Sequence, residues 1–86
     1  MRVVVPSPLF SYTSGQKEIE GTGESLAQLL AFLDDRYPGV RHRIIDEQGR
    51  IRPHIRFFVN GVGATRLEHA LHADDEILIV AALSGG

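Results

Sequence analysis

Glu76-Ile77-Leu78-Ile79-Val80-Ala81-Ala82-Leu83-Ser84-Gly85-Gly86 closes the chain, and its first seven residues decide how the rest folds. They carry one charge, at the start, followed by an unbroken aliphatic run. Such a run reads as a strand at the centre of a sheet. Successive side chains of a strand point to opposite faces, so Ile77 and Ile79 share one face and Leu78 and Val80 the other. Asp74-Asp75 supplies the turn before it. The natural neighbour of this strand is the β-rich opening of the chain, Arg2–Val5, lying parallel to it.

Working outward, Ile55-Arg56-Phe57-Phe58-Val59 is a second strong strand, closed by the turn signal Asn60-Gly61. Phe57 and Phe58 are consecutive, so only one can enter a given face. At the other end, Pro6 and Pro8 stop the first ladder because proline has no N–H to donate. Gly15 marks a turn, and Gln16–Glu20 is the expected return strand of an N-terminal hairpin. Ser25-Leu26-Ala27-Gln28 has the form of a capping box, in which the serine hydroxyl takes the N3 amide and the glutamine reaches back to the cap. Leu26, Leu29, Leu30, Leu33 and Tyr37 follow at helical spacing, and Pro38-Gly39 ends the run. A helix is predicted over residues 25–37. Residues 41–52 read as short strands or an irregular loop around the turn Asp46–Gly49, and residues 65–72 as a single helical turn. The order strand, strand, helix, strand, strand predicts an α+β fold, a mixed sheet covered on one face by one main helix. It forms one domain over residues 1–82, with residues 83–86 as a flexible tail.

Size and composition exclude several functions. A chain of 86 residues buries roughly 60–65 % of its unfolded surface, enough for one modest core and too little to enclose a deep pocket as well. An independent enzyme is therefore not expected. Cysteine is absent, which removes disulfides, thiolate metal sites and a cysteine nucleophile together and suits a cytoplasmic protein. The apolar opening Met1–Val5 is too short for a signal peptide, and no stretch reaches membrane-spanning length. The net charge of −2 gives no general drive toward nucleic acid or anionic lipid. Arg36, Arg41, Arg43, Arg50, Arg52 and Arg56 crowd one stretch, but Tyr37 is the sole aromatic residue among them, too few for a base-stacking surface, and a solvated face accounts for them.

Few residues have the spacing of a reactive site. His42, His54, His69 and His72 lack a convincing third ligand, so no metal site is expected. The pairs Asp34-Asp35 and Asp74-Asp75 consist of neighbours that point apart and read as a polar helix face and a turn. No nucleophile triad, phosphate-binding glycine loop or nucleotide fingerprint is present.

Two features remain. A single helix covers only one face of the sheet, which leaves Phe58, Leu78 and Val80 on the other as an apolar patch fit for a partner. The alternative is that the loop spanning Pro38–Pro53 folds over that face. The second feature is the terminus: Gly85 and Gly86 lack Cβ atoms and can enter a narrow channel where any side chain would clash. From Leu83 to Gly86 the chain can reach about 13 Å past its last strand.

These segments together resemble a known family. Gly23-Glu24-Ser25-Leu26, Arg36-Tyr37-Pro38-Gly39, Phe58-Val59-Asn60-Gly61 and the run from Asp75-Glu76-Ile77 to Gly85-Gly86 resemble the ubiquitin-like sulfur carriers (MoaD/ThiS), which include the small subunit of molybdopterin synthase and the thiamine sulfur carrier. The resemblance implies a β-grasp fold. It also implies that an E1-like enzyme uses ATP to adenylate the carboxylate of Gly86, that a persulfide or similar sulfur donor converts it to a thiocarboxylate, and that a biosynthetic enzyme accepts the sulfur. Gly85, Ser84 and Leu83 would give the terminus access to those enzymes, and Phe58, Leu78 and Val80 would dock them. With Gly86 last, no proteolytic exposure is expected. The chain itself would bind no cofactor and would be a carrier or the small subunit of a sulfur-transferring synthase. Conjugation to lysine through Gly86, as a ubiquitin-like modifier, is the alternative the residues leave open, and an interaction domain with an inert tail is a third.

Overall fold

The structure, a computed structural model, describes residues 1–82. Five strands, β1 (Arg2–Val4), β2 (Glu18–Glu20), β3 (Ile55–Val59), β4 (Val62–Ala64) and β5 (Glu76–Ala81), form one sheet in the order β2-β1-β5-β3-β4. The strand nearest the chain's end is central. It runs parallel to β1, with Val3 opposite Ile77, and antiparallel to β3, with Phe57 opposite Ile79. Helix α1 (Leu26–Arg36) presents Leu26, Leu29, Leu30 and Leu33 to one face. This is the α+β layer expected from the order of elements, and its topology is the β-grasp fold that the resemblance implies.

The core lies between α1 and that face. Val3, Leu26, Leu29, Leu30, Ile44 and Ile77 have no exposed surface, and Phe57 is 1 % exposed. Each such side chain contributes about 1.5–3 kcal/mol by leaving water.

Helix α1 begins one residue after its cap. Ser25 Oγ accepts from the Gln28 N–H at 3.2 Å, as the capping box predicts. The Gln28 side chain accepts from the N–H of Glu24, at 2.9 Å, not from the cap residue itself. Gly23 precedes it with φ +152°, where a Cβ would fall 2.7 Å from the Leu29 nitrogen.

Three local expectations are corrected. Residues 65–72 form no helix and hold only one tight turn, in which the His69 N–H donates to the Arg66 carbonyl at 3.0 Å. This stretch lies against the start of α1, where the carbonyls of His69 and Leu67 accept from the N–H groups of Leu26 and Ala27 at 3.1 and 2.9 Å. The helix's unpaired first-turn donors are satisfied there, and Ala70 bridges Ser25. Second, residues 40–44 form a short helix, α2 (Val40–Ile44), where strands or a loop are predicted. Asp34 Oδ1 accepts from the N–H groups of both Gly39 and Arg41, each at 3.1 Å, so the cap comes from α1. Gly39 takes φ +97° at this junction. Third, the return strand starts at Glu18, not Gln16, although the Val5 N–H still reaches Lys17 O at 2.8 Å. The turn over Asp46–Gly49 is present and is held by Asp46 Oδ1, which accepts from Gln48 and Arg50, both at 2.9 Å.

Candidate functional site

The side of the sheet away from α1 carries a row built by register alone: Glu18, Val4, Leu78, Phe58 and Gly63 stand opposite one another across all five strands. Leu78 is 38 % exposed and Val80 36 %, while Ile77 and Ile79 on the same strand are buried. Phe58 and Val4 are half-buried, and Phe57 is in the core. The loop over residues 38–53 does not cover this face, where Leu78 and Val80 stay exposed. Val40, Ile44 and Ile45 of residues 38–53 join the core cluster instead.

The patch has charged ends. Arg2 donates to Glu76 at 2.9 Å and pairs with Glu18, forming a bridge across the three strands β2, β1 and β5. The hydrogen bond from Arg2 holds the Glu18 carboxyl below its usual range, and the same bond raises Arg2. All three groups are half-exposed, so solvent screens the pairing and its stabilising effect is small. At the other end Arg56 stands opposite Val80.

That second end is where the chain leaves the sheet. The Ala82 N–H donates to the His54 carbonyl at 2.8 Å, two residues after Val80. The tail positions Leu83, Ser84, Gly85 and Gly86 lie outside the described residues. Phe58, Leu78 and Val80 are thus brought together, and the exit of the chain follows directly from the strand that carries two of them. Val4 completes the patch and was not singled out from the sequence. Only the parallel register of β1 on β5 places it beside Leu78.

The four histidines do not gather into a metal site. Among the described residues no group of three or more His, Cys, Asp or Glu side chains is placed to hold a metal ion. No helix among them is long and apolar enough to cross a membrane.

A β-grasp sheet with one covered face, one open apolar face and a terminus issuing from its central strand defines a ubiquitin-like domain. The ThiS family profile matches residues 3–86, and the chain belongs to that family. Sulfur carrier protein CysO of Mycobacterium tuberculosis (strain ATCC 25618 / H37Rv) is 27 % identical over 89 residues, covering 98 % of this chain and 96 % of that protein. The crystal structure of the Amycolatopsis orientalis BexX/CysO complex contains a chain that superposes with a TM-score of 0.89 at 25 % identity, covering 99 % of this chain and 98 % of that one. The solution structure of small archaeal modifier protein 1 from Methanosarcina acetivorans gives a TM-score of 0.78 at 29 % identity, covering 99 % and 94 %.

Proposed function

We propose that this protein is a sulfur carrier and that the carboxylate of Gly86 is its working group. The observation that carries the reading is the ThiS family match, which runs to residue 86 and so includes both terminal glycines. The relation to CysO supports it further.

The chemistry follows from what a carboxylate lacks. Its oxygen is a poor leaving group, so it must first be activated. A Gly86 oxygen attacks the α-phosphorus of ATP on an E1-like enzyme and displaces pyrophosphate, giving an acyl adenylate. The terminal sulfur of a persulfide then attacks the carbonyl carbon and expels AMP. A thiol reduces the resulting acyl disulfide, is itself oxidised to a disulfide, and leaves the thiocarboxylate. An accepting biosynthetic enzyme takes that sulfur. The carrier supplies the acyl group and a docking face, Phe58, Leu78 and Val80, and its partners supply the catalysis, ATP included. Apolar burial at that face provides affinity, and the thin Gly85-Gly86 end provides reach.

Hydroxylamine tests the activation step. Incubation with the E1-like enzyme, ATP and hydroxylamine is expected to yield a hydroxamate at Gly86, and a chain that remains unmodified under these conditions contradicts the proposal. A second reading, conjugation to lysine, draws support from the likeness to an archaeal modifier protein. Immunoblots of the source cells for larger adducts distinguish the two.

A further inference from the structure

Beside the point where β5 ends lies a cleft of about 260 Å³. Its polar wall consists of His42, Arg43, Arg52 and His54, its apolar floor includes Leu9 and Ala81, and no acidic side chain lines it. The two guanidinium groups are held in place. Arg52 donates from Nε and NH2 to the His42 carbonyl at 3.0 and 2.8 Å. The Arg43 guanidinium sits over the Tyr12 ring at 5.9 Å from its centroid, an arrangement that orients a cation without neutralising it. These groups come from α2, from the segment after the Asp46–Gly49 turn and from the residue just before β3. The fold therefore gathers part of the arginine-rich stretch at one place.

The location restricts the occupant. Ala81 lines the cleft, and Ala82 is hydrogen-bonded to the His54 carbonyl that flanks it. Four residues follow, with a reach of about 13 Å. The cleft therefore lies at the root of the tail, beside the point where any enzyme that takes Gly86 into its reaction centre must meet the folded domain. The surface that meets the cleft is protein, and its complement in charge is carboxylate. The chain as a whole carries −2, so a local cationic site is what lets an acidic partner approach in one orientation.

We propose that the His42/Arg43/Arg52/His54 cleft docks acidic side chains at the rim of the tail channel of the E1-like adenylating enzyme and steers the terminus into it. The proposal rests on the sulfur-carrier reading above and deepens it. The apolar row around Leu78 contributes affinity, and the cleft contributes association rate and orientation.

Stopped-flow association of the full chain with the source organism's adenylating enzyme tests this. The wild-type rate constant is expected to fall as sodium chloride is raised. The exposed double substitution Arg43→Glu/His54→Glu should lower it about tenfold or more at low salt and flatten its salt dependence. ATP–pyrophosphate exchange at saturating carrier should stay near the wild-type rate. Arg43→Gln/His54→Gln, a milder change, should fall between the two, and Arg36→Glu on α1 should associate like wild type. Circular dichroism establishes that each variant is folded. A salt-independent wild-type rate, or a folded double charge reversal that associates like wild type, overturns the assignment. So does inorganic pyrophosphate that binds at the cleft while enzyme association proceeds unchanged. Salt-dependent docking without any Gly86 hydroxamate leaves the cleft in place and overturns the sulfur-carrier reading. Normal activation with unaltered association of the double variant overturns the cleft alone.

Discussion

The Asn60 carboxamide donates to Asp75 Oδ1 at 2.8 Å and accepts from the Glu76 N–H at 2.9 Å, tying the β3–β4 turn to the start of the central strand. Asn60 and Gly61 both have positive φ, 52° and 83°, the geometry of a tight hairpin turn. The other oxygen of Asp75 accepts from the His72 N–H at 2.8 Å. One buried carboxylate thus fixes where β5 begins and, through its register, which residues reach the open face.

The His72 backbone bond, followed by the Asn60 amide, holds the Asp75 carboxyl below the usual carboxylate range. A depressed folded-state pKa contributes stability above the unfolded value of about 3.9, and that stability is lost as pH falls through it toward the folded value. Asp75→Asn and Asn60→Ala should both lower the melting temperature at neutral pH. For Asp75→Asn the gap from wild type should close below about pH 4. Thermal melts across pH check this, and a gap independent of pH contradicts it.

Adjacent phenylalanines should behave oppositely. Phe57 is 1 % exposed, so Phe57→Ala should cost about 3–5 kcal/mol in urea unfolding. Phe58→Asp should leave the fold intact and weaken the complex with the activating enzyme, because the new charge would be buried unpaired at the interface. Calorimetric titration measures the second effect. An unfolded Phe58→Asp, or a folded one that binds normally, contradicts the patch assignment.

Asp34→Ala removes the side-chain oxygen that receives the Gly39 and Arg41 N–H groups. The loss of a cap of this kind costs about 0.5–2 kcal/mol. Amide exchange should speed up in residues 40–45 before it does in the sheet, and uniform protection across both would refute a local role.

Much of this was legible in the sequence, for identifiable reasons. The aliphatic run Glu76–Ala82 and the leucine stripe of α1 are long enough for their periods to show, and strand alternation separates Phe57 from Phe58 without any structure. Helix α2 was not legible. It spans five residues, too few for a period, and its cap, Asp34, belongs to another element. Residues 65–72 misled for a related reason: Leu67 and Leu71 have helical spacing, yet the backbone between them is committed to the first turn of α1. The open row was half legible. Phe58, Leu78 and Val80 follow from alternation, whereas Val4 requires the pairing of β1 with β5. The basic cleft was not legible either, because an arginine-rich stretch reads as solvated surface until its turns bring four side chains to one spot.

Intact-protein mass spectrometry tests the central claim most directly. The wild-type chain and a chain lacking Gly86 would each be incubated with ATP, the E1-like enzyme, a persulfide donor and a thiol reductant. Wild type should gain the mass of one oxygen replaced by sulfur, mapped by fragmentation to Gly86. Gly85→Val should gain it slowly, since a β-branched side chain obstructs a channel shaped for glycine. The truncated chain should melt like wild type and gain nothing. Equal labelling without Gly86, or sulfur mapped to any internal residue, would contradict the account.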